Sequence, residues 1–566
     1  MIVSAVSLWK KFNTKAPLCA SEWGIDEQLN TRFSHVSFSG HAVEGGSVRI
    51  YARYGKPVGK NVKPAVLLLG DAGKSVDTEL MQHFIDLGYA VLMPDYSGKM
   101  QSDGEGVLRT IYPTALEHGN LEKARGLKDM AGLAAHETTW FEWTYVALFA
   151  IEFLRSQEDI GNIGVVGVRT GGDIAWQVML SPEIKCGVPI NAVGWHSFEH
   201  ISKFGDNVAH NLSDDTHRYI AAVEAQSYAP SVKCPVLLLC ALHDNCFDCD
   251  RAYDTYSRIG NTDGNALVYS GTSGACIGPN GINDMDLFLE KNLKGREIYI
   301  PDTLNVSMKE TDEGLEITVE CDKEGILEEA GVYYAEADVK TRCAYRDFHR
   351  VLKKNGKGIV DGKVTCVVKP FAGAKAAFAY AYAKYINGFR VTSKITCKRL
   401  SNPDPNAVKG RMLFSGWESG CFTVENYGEY SIGDIFLERE AIPKRVEGYG
   451  GVVGAYSVGG IRTYKISSPM YVPDENAMLA FDAYFPETEE LKISVEAGDV
   501  ETETERYTCA VEVKGGGKWK RIILRANDFK GENSLLPLGS FADGRALLFD
   551  CDKEGLEYAV ANVLWL

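Results

Sequence analysis

The residues Gly167-Val168-Arg169-Thr170-Gly171-Gly172 lie between an apolar run, 162–167 (NIGVVG), and a helical pattern, 172–180 (GDIAWQVML). A strand that turns sharply into a helix, with glycines two positions either side of the apex, is the G-x-S-x-G arrangement of a nucleophile elbow. The apex serine sits on a strained turn, and the glycines let the helix and strand pack closely. Strand, turn, glycine spacing and helix all agree here, so the register is hard to shift. The apex residue is Arg169. Acyl transfer at such a turn needs a hydroxyl, a base within hydrogen-bond reach and a third group orienting that base. A guanidinium stays protonated at neutral pH and cannot serve as the nucleophile. Thr170 follows the apex, where a backbone N–H normally serves an oxyanion hole; its side chain is expected to point elsewhere.

Other residues with chemical potential are fewer. Cys246 and Cys249 form the only close C-x-x-C pair, with Cys240 and His243 just upstream. A zinc site would normally bring a second ligand pair at a defined spacing, and none is visible, so reduced thiols are expected and no metal. No cofactor motif is expected either. His196, in VGWHSFEH (193–200), follows a strand end and is the best spare histidine for the pocket, with His200 close by. His243 precedes a candidate acid and should face the opposite side of the backbone. His35, His41, His83 and His349 are expected to be ordinary surface or core residues.

The elements that must position these groups read as alternating strands and helices from about 33 to 298. Residues 47–53 alternate like a strand, and 64–69 (PAVLLL) is continuously apolar, like a strand buried on both faces. A helical spacing of Leu80, Met81, Phe84, Ile85 and Leu87 follows, then a strand at 89–93 and a long helix at 139–155. Residues 235–241 and 266–270 are two more strands around a helix near 251–258. Such alternation implies crossover units and a mostly parallel, doubly wound sheet. Residues 97–137 lack a clean period and should cap the carboxyl edge of that sheet, where open α/β sheets bind ligands.

Residues 35–298 resemble the esterase branch of the bacterial α/β-hydrolase superfamily: acetyl-xylan esterases, cephalosporin-C deacetylases and dienelactone hydrolases. The resemblance is carried by LLLGDAG (67–73), MPDYSGKMQSDGEG (93–106), the elbow, CPVLLLCALHD (234–244) and SGTSGACIGPNG (270–281). It implies an α/β-hydrolase fold with Gly70, Asp71 and Ala72 in the oxyanion loop, and it maps the triad acid onto Asp244. The triad histidine maps onto Ala275, with Cys276 as an alternative register, and the loop 270–276 contains no histidine. Losing a triad member removes on the order of 10⁴–10⁶ in rate in comparable enzymes. The degenerate triad Arg169, Asp244 and Ala275 is therefore expected to be inactive as a serine esterase. Cys276 with a nearby base is the rescue to consider. A buried arginine needs an anion close by. The first expectation is an internal pair of Arg169 with Asp244, and the second is an Arg169 that faces an open pocket and holds a carboxylate or phosphate.

From about 299 the pattern changes to period-two segments such as 314–320, 364–369 and 375–383, without long helices between them. That reads as an antiparallel Ig/fibronectin-like sandwich over 299–400. It is followed, after a linker-like 401–409, by a jelly-roll-like sandwich over 401–566. Residues 1–32 form an N-terminal arm. The last domain loosely resembles carbohydrate-binding sandwiches through Trp417 and Trp519, with Trp519 the better exposed candidate and Trp565 expected in the core. Composition narrows the partners. Sixty basic against 76 acidic residues give −16 and no basic run stands out, so no nucleic acid is expected. No apolar stretch reaches the roughly 18 residues that span a bilayer, and no secretory signal is recognised, which points to a cytoplasmic protein away from membranes. Three readings remain: a degenerate esterase-like domain retained to bind a carbohydrate or small anionic ligand, an active hydrolase with an unusual nucleophile, and a structural or assembly protein. Nothing in the pattern sets an oligomeric state.

Overall fold

The computed structural model describes residues 4–28, 30–59, 61–74, 78–99, 108–130, 132–205, 212–273, 277–416, 422–424, 444–447, 449–457, 460–498, 504–551, 553 and 558–566. The N-terminal half is built on a nine-stranded sheet. Its strands are β1 (Ser21–Gln28), β2 (Thr31–Val43), β3 (Gly46–Pro57), β4 (Lys63–Leu69), β5 (Ala90–Pro94), β6 (Ile160–Val168), β7 (Ile184–Ile190), β8 (Leu237–His243) and β9 (Ala266–Ser273). The order is β1-β2-β3-β5-β4-β6-β7-β8-β9. Strands β1 to β3 are antiparallel to their neighbours, and every pairing from β5 across to β9 is parallel. This is the mostly parallel sheet the alternation implies, in the α/β-hydrolase arrangement that the resemblance implies. β4 is buried almost throughout, which is why its sequence reads as an unbroken apolar run. Part of the N-terminal arm takes up the sheet edge as β1. No described helix is long and apolar enough to cross a membrane.

Helices Thr139–Arg155 and Thr170–Val178 pack on one face of the sheet and Thr78–Asp86 and Gly278–Lys294 on the other, as the two core clusters record. The long helix Thr139–Arg155 is apolar nearly all round because it is covered on all sides. The segment expected to cap the carboxyl edge forms short turns at Thr114–Gly119, Leu121–Lys123 and Ala135–Glu137.

The middle domain consists of antiparallel sheets of three and five strands. The last domain is a pair of facing six-stranded antiparallel sheets among the described residues, enclosing Phe414, Phe481, Leu491, Phe549 and Trp565. Trp565 is in the core as expected, its indole N–H donating to the Tyr471 carbonyl at 2.8 Å. Trp519 is half-buried rather than exposed. Its ring lies 5.4 Å from that of Tyr484. Trp417 lies outside the described residues.

The three domains are docked on one another through the middle-domain segment 341–346. Arg346 is fully buried and forks onto Asp250 of the hydrolase domain at 2.6 and 2.7 Å. It also donates to the Thr341 carbonyl and lies 3.7 Å above the Phe378 ring. His243, at the end of β8, does face away from the elbow. Its Nδ1–H donates to the Ala344 carbonyl at 2.9 Å, and its ring stacks at 3.9 Å on Tyr464 of the last domain. Tyr345 joins Tyr464, Ala546 and Leu548 in a small core of their own.

These contacts make two predictions. Arg346→Leu leaves the Asp250 carboxylate buried without its partner and should cost about 3–5 kcal/mol, read as a lower urea midpoint. His243 is kept neutral mainly by burial, helped by the nearby Arg462 and opposed by its bond to Ala344, and titrates at about 4 instead of 6.5. The unfolded chain therefore takes up this proton first as pH falls. Stability should be full above pH 6.5 and decline from there toward pH 4. His243→Gln should flatten that part of the urea-midpoint profile.

Candidate functional site

β6 delivers the chain to Arg169, whose φ of 49° and ψ of −114° put a non-glycine residue in a strained conformation at the apex. Such backbone strain costs of order 1–3 kcal/mol and persists only where its surroundings enforce it. Here the Arg169 N–H donates to Ile190 of β7 at 2.8 Å, and the Arg169 carbonyl accepts from Asp173 at 2.9 Å as helix Thr170–Val178 begins. The glycines are required by contact. A Cβ on Gly167 would strike the Gly171 carbonyl, and one on Gly171 would strike the carbonyls of Leu69 and Gly70. The sequence pattern and the local geometry of an elbow coincide, with arginine at its apex.

The guanidinium of Arg169 is almost buried and pairs with Asp244, Nε and Nη2 both lying 3.0 Å from Oδ2. Asp244 follows β8 and is 1% exposed. Its Oδ2 also accepts from Asn191 Nδ2 at 2.9 Å, and its Oδ1 accepts from the Cys246 amide at 2.9 Å. Burial pushes the Asp244 carboxyl above its ordinary value, and Arg169 and the Cys246 amide offset part of that push. Asn191 is itself held in the left-handed region, φ 51°, and its side-chain oxygen accepts from the Ala241 amide at 2.7 Å. Among the described residues, no histidine stands among the partners of Asp244. The internal pair expected from the sequence is present.

On its other side Arg169 Nη1 lies 3.9 Å from Asp71 Oδ2. Asp71 follows β4, and its Oδ1 collects donors from its own turn and from the elbow. It accepts from the Ala72 amide at 3.0 Å, the Thr170 amide at 3.4 Å and the Thr170 hydroxyl at 2.5 Å. The Thr170 side chain thus turns to Asp71 at the pocket, contrary to the expectation that it points elsewhere, because a carboxylate stands within its reach. Gly70 contributes its carbonyl, which accepts from the buried Tyr96 hydroxyl. Ala275 and Cys276 lie outside the described residues.

These groups floor a cavity of about 630 Å³. Asp71, Ala72, Arg169, Thr170, Asp173 and His196 line it, and Trp140, Trp143 and Tyr219 form an aromatic wall. Leu121, Leu127 and Lys128 come from the segment expected to cap the sheet. Arg342 of the middle domain and Thr504 of the last domain complete the lining. Arg342 also donates to the Asn245 carbonyl at 2.6 Å. His196, the spare histidine, points its Nε2 at Asp173 Oδ2 at 3.0 Å rather than at Arg169 or Asp244. Burial opposes its protonation, but Asp173, with Glu224 and Glu199, outweighs burial and lifts its titration to about 9. His196 is therefore an imidazolium at neutral pH.

Cys246 also lines the cavity, with its thiol exposed. Cys249 is buried beside Cys240 and Cys343, so the two members of the C-x-x-C pair diverge. The described cysteines are free thiols. Among the contributors that escaped the sequence reading are Asp173, Asn191 and Arg342. Asp173 was within reach of sequence reasoning, since it stands in the first turn of the helix that starts at Thr170, directly after the apex. The other two come from loops brought in by the fold.

Residues 50–273 match the model of the dienelactone hydrolase family. They form a dienelactone hydrolase family domain. Among solved structures, the chain is similar to the acetyl xylan esterase from Paenibacillus sp. R4 at 16% identity, covering 51% of this chain and 92% of that one with a TM-score of 0.39. It is similar to acetyl xylan esterase 1 from Thermoanaerobacterium sp. JW/SL YS485 at 15% identity, over 50% and 92% of the two chains, TM-score 0.40. It is also similar to the Pyrococcus horikoshii acylaminoacyl peptidase at 17% identity, over 50% and 51%, TM-score 0.34. No curated protein sequence matches the chain.

In this dienelactone hydrolase family domain, ring-carbon NMR should place the His196 titration near 9, falling by at least one unit in Asp173→Asn. Because the folded value is raised, the stabilisation is full below pH 6.5 and is lost as pH rises toward 9.

Proposed function

We propose that the hydrolase domain of this protein binds a ligand and does not perform acyl transfer by the serine mechanism. The observation that carries this reading is the Asp71–Arg169–Asp244 cluster. A guanidinium stands where the nucleophilic hydroxyl belongs, bonded to the acid that would orient a base. The donors that would stabilise a tetrahedral oxyanion are engaged by a carboxylate of the chain itself. Oxyanion stabilisation and a nucleophile–base pair together supply most of the rate in such enzymes, and removing one oxyanion donor alone costs about 10²–10³ in kcat. The cavity nonetheless remains large enough for a small ligand, with an aromatic wall and fixed polar groups, the usual composition of a ligand pocket. Aromatic faces beside hydrogen-bonding side chains suit a carbohydrate ring, and the arginine and imidazolium suit a small anion.

Aryl-acetate hydrolysis tests the reading. Wild-type protein should turn over p-nitrophenyl acetate no faster than buffer. Arg169→Ser should not restore activity, because Asp71 still engages the oxyanion donors and Asp244 has no imidazole to orient. Turnover above buffer that disappears in Cys276→Ala would replace this account with an active hydrolase using a thiol.

A further inference from the structure

The polar floor of the cavity is a carboxylate site that already holds a carboxylate. Asp71 Oδ1 receives two backbone N–H groups and a hydroxyl, and the Arg169 guanidinium stands 3.9 Å from its Oδ2. Neither amide depends on Asp71 for its position. That of Thr170 is set by the elbow and that of Ala72 by the turn after β4, so the cradle is preorganised by the sheet. Arg169 is held from below by Asp244 at 3.0 Å and would stay in place if Asp71 swung away. Asp71 differs from Asp244 in one decisive respect: its side chain is 18% exposed where that of Asp244 is 0% exposed. It lies at the cavity surface, able to exchange with solvent or ligand, while Asp244 is sealed in. His196 adds a second cation to the same wall, one helical turn along from Thr170 through its bond to Asp173.

We propose that this floor recognises a ligand carboxylate, and that Asp71 is its intramolecular competitor, closing the cradle until the ligand displaces it. The inference rests on the ligand-binding reading above and names the chemistry of the group bound. A ligand carboxylate would replace the Asp71 oxygens at the Ala72 and Thr170 amides, the Thr170 hydroxyl and Arg169 Nη1, while the Nε–Nη2 edge stays on Asp244. The ligand's remaining body would lie along the wall of Trp140, Trp143 and Tyr219. An intramolecular competitor has a high effective concentration, so the wild-type protein binds a bare carboxylate weakly and requires a ligand with further contacts.

Acetate is the probe, titrated into the full chain by calorimetry at pH 7 against sodium chloride of equal ionic strength. Asp71→Ala should bind acetate at least tenfold more tightly than wild type. The near-isosteric Asp71→Asn, which keeps the side-chain shape and removes the charge, should gain at least threefold. Adding Arg169→Met to Asp71→Ala should abolish the gain. Inorganic phosphate is the second arm and should bind more weakly than acetate. Equal acetate affinity in wild type and in a folded Asp71 variant overturns the proposal, as does a variant that binds phosphate and not acetate. If Asp71→Ala does not fold, Asp71→Asn decides alone. None of these outcomes depends on ester hydrolysis, so they separate from a failure of the non-catalytic reading.

Discussion

A guanidinium enclosed at the base of a protein cavity has to be neutralised by groups that are themselves held in place, and this requirement organises the whole elbow region. Arg169 has Asp244 below it and Asp71 above it. Taking a charge from water into a protein interior costs several kcal/mol even after relaxation, and the sealed Asp244 at 3.0 Å is the partner that answers it. The consequences spread outward from the pair. Asn191 adopts a left-handed conformation and bonds the sealed Asp244, while Thr170 and the oxyanion-loop amide close on Asp71. The same strained turn that presents a serine in hydrolases here presents a cation.

The way the domains meet follows a similar logic of satisfied burial. Arg346 crosses from the middle domain to Asp250 with both of its forks engaged and an aromatic ring beneath it. His243 crosses the interface in its neutral form, donating one proton to a carbonyl and laying its face on Tyr464. A second buried bridge, Arg390 to Asp284, ties the middle domain to the last helix of the hydrolase domain at 3.2 Å. Because these contacts bring Arg342 and Thr504 to the cavity lining, the pocket belongs to all three domains. The β domains are therefore part of the site's construction, beyond any role as spacers.

Much of this was legible in the residues. Continuous apolar runs marked the buried parallel strands, because strands covered on both faces have no polar side to alternate. The glycines around Arg169 marked the elbow, because only glycine permits the carbonyl contacts made at Gly167 and Gly171. The pairing of Arg169 with Asp244 could be anticipated because the family resemblance sets the elbow beside the acid loop and a buried guanidinium needs an anion. Less accessible was the exposure of single aromatic residues. Trp519 sits among glycines and lysines in sequence and reads as exposed, yet Tyr484 from a neighbouring strand half-covers it. Local polarity does not report which distant strand folds over a ring.

What the sequence determined by itself was the fold of the first domain and the identity of the residue at its apex, since both depend on local periodicity and on a turn spanning six positions. What only the tertiary structure decided was how the charge is answered. Asp71 and Thr170 are 99 positions apart, and Arg342 and Thr504 come from other domains. Hydrogen bonds and ion pairs at such separations are fixed by the packing of whole elements, which no short-range pattern encodes.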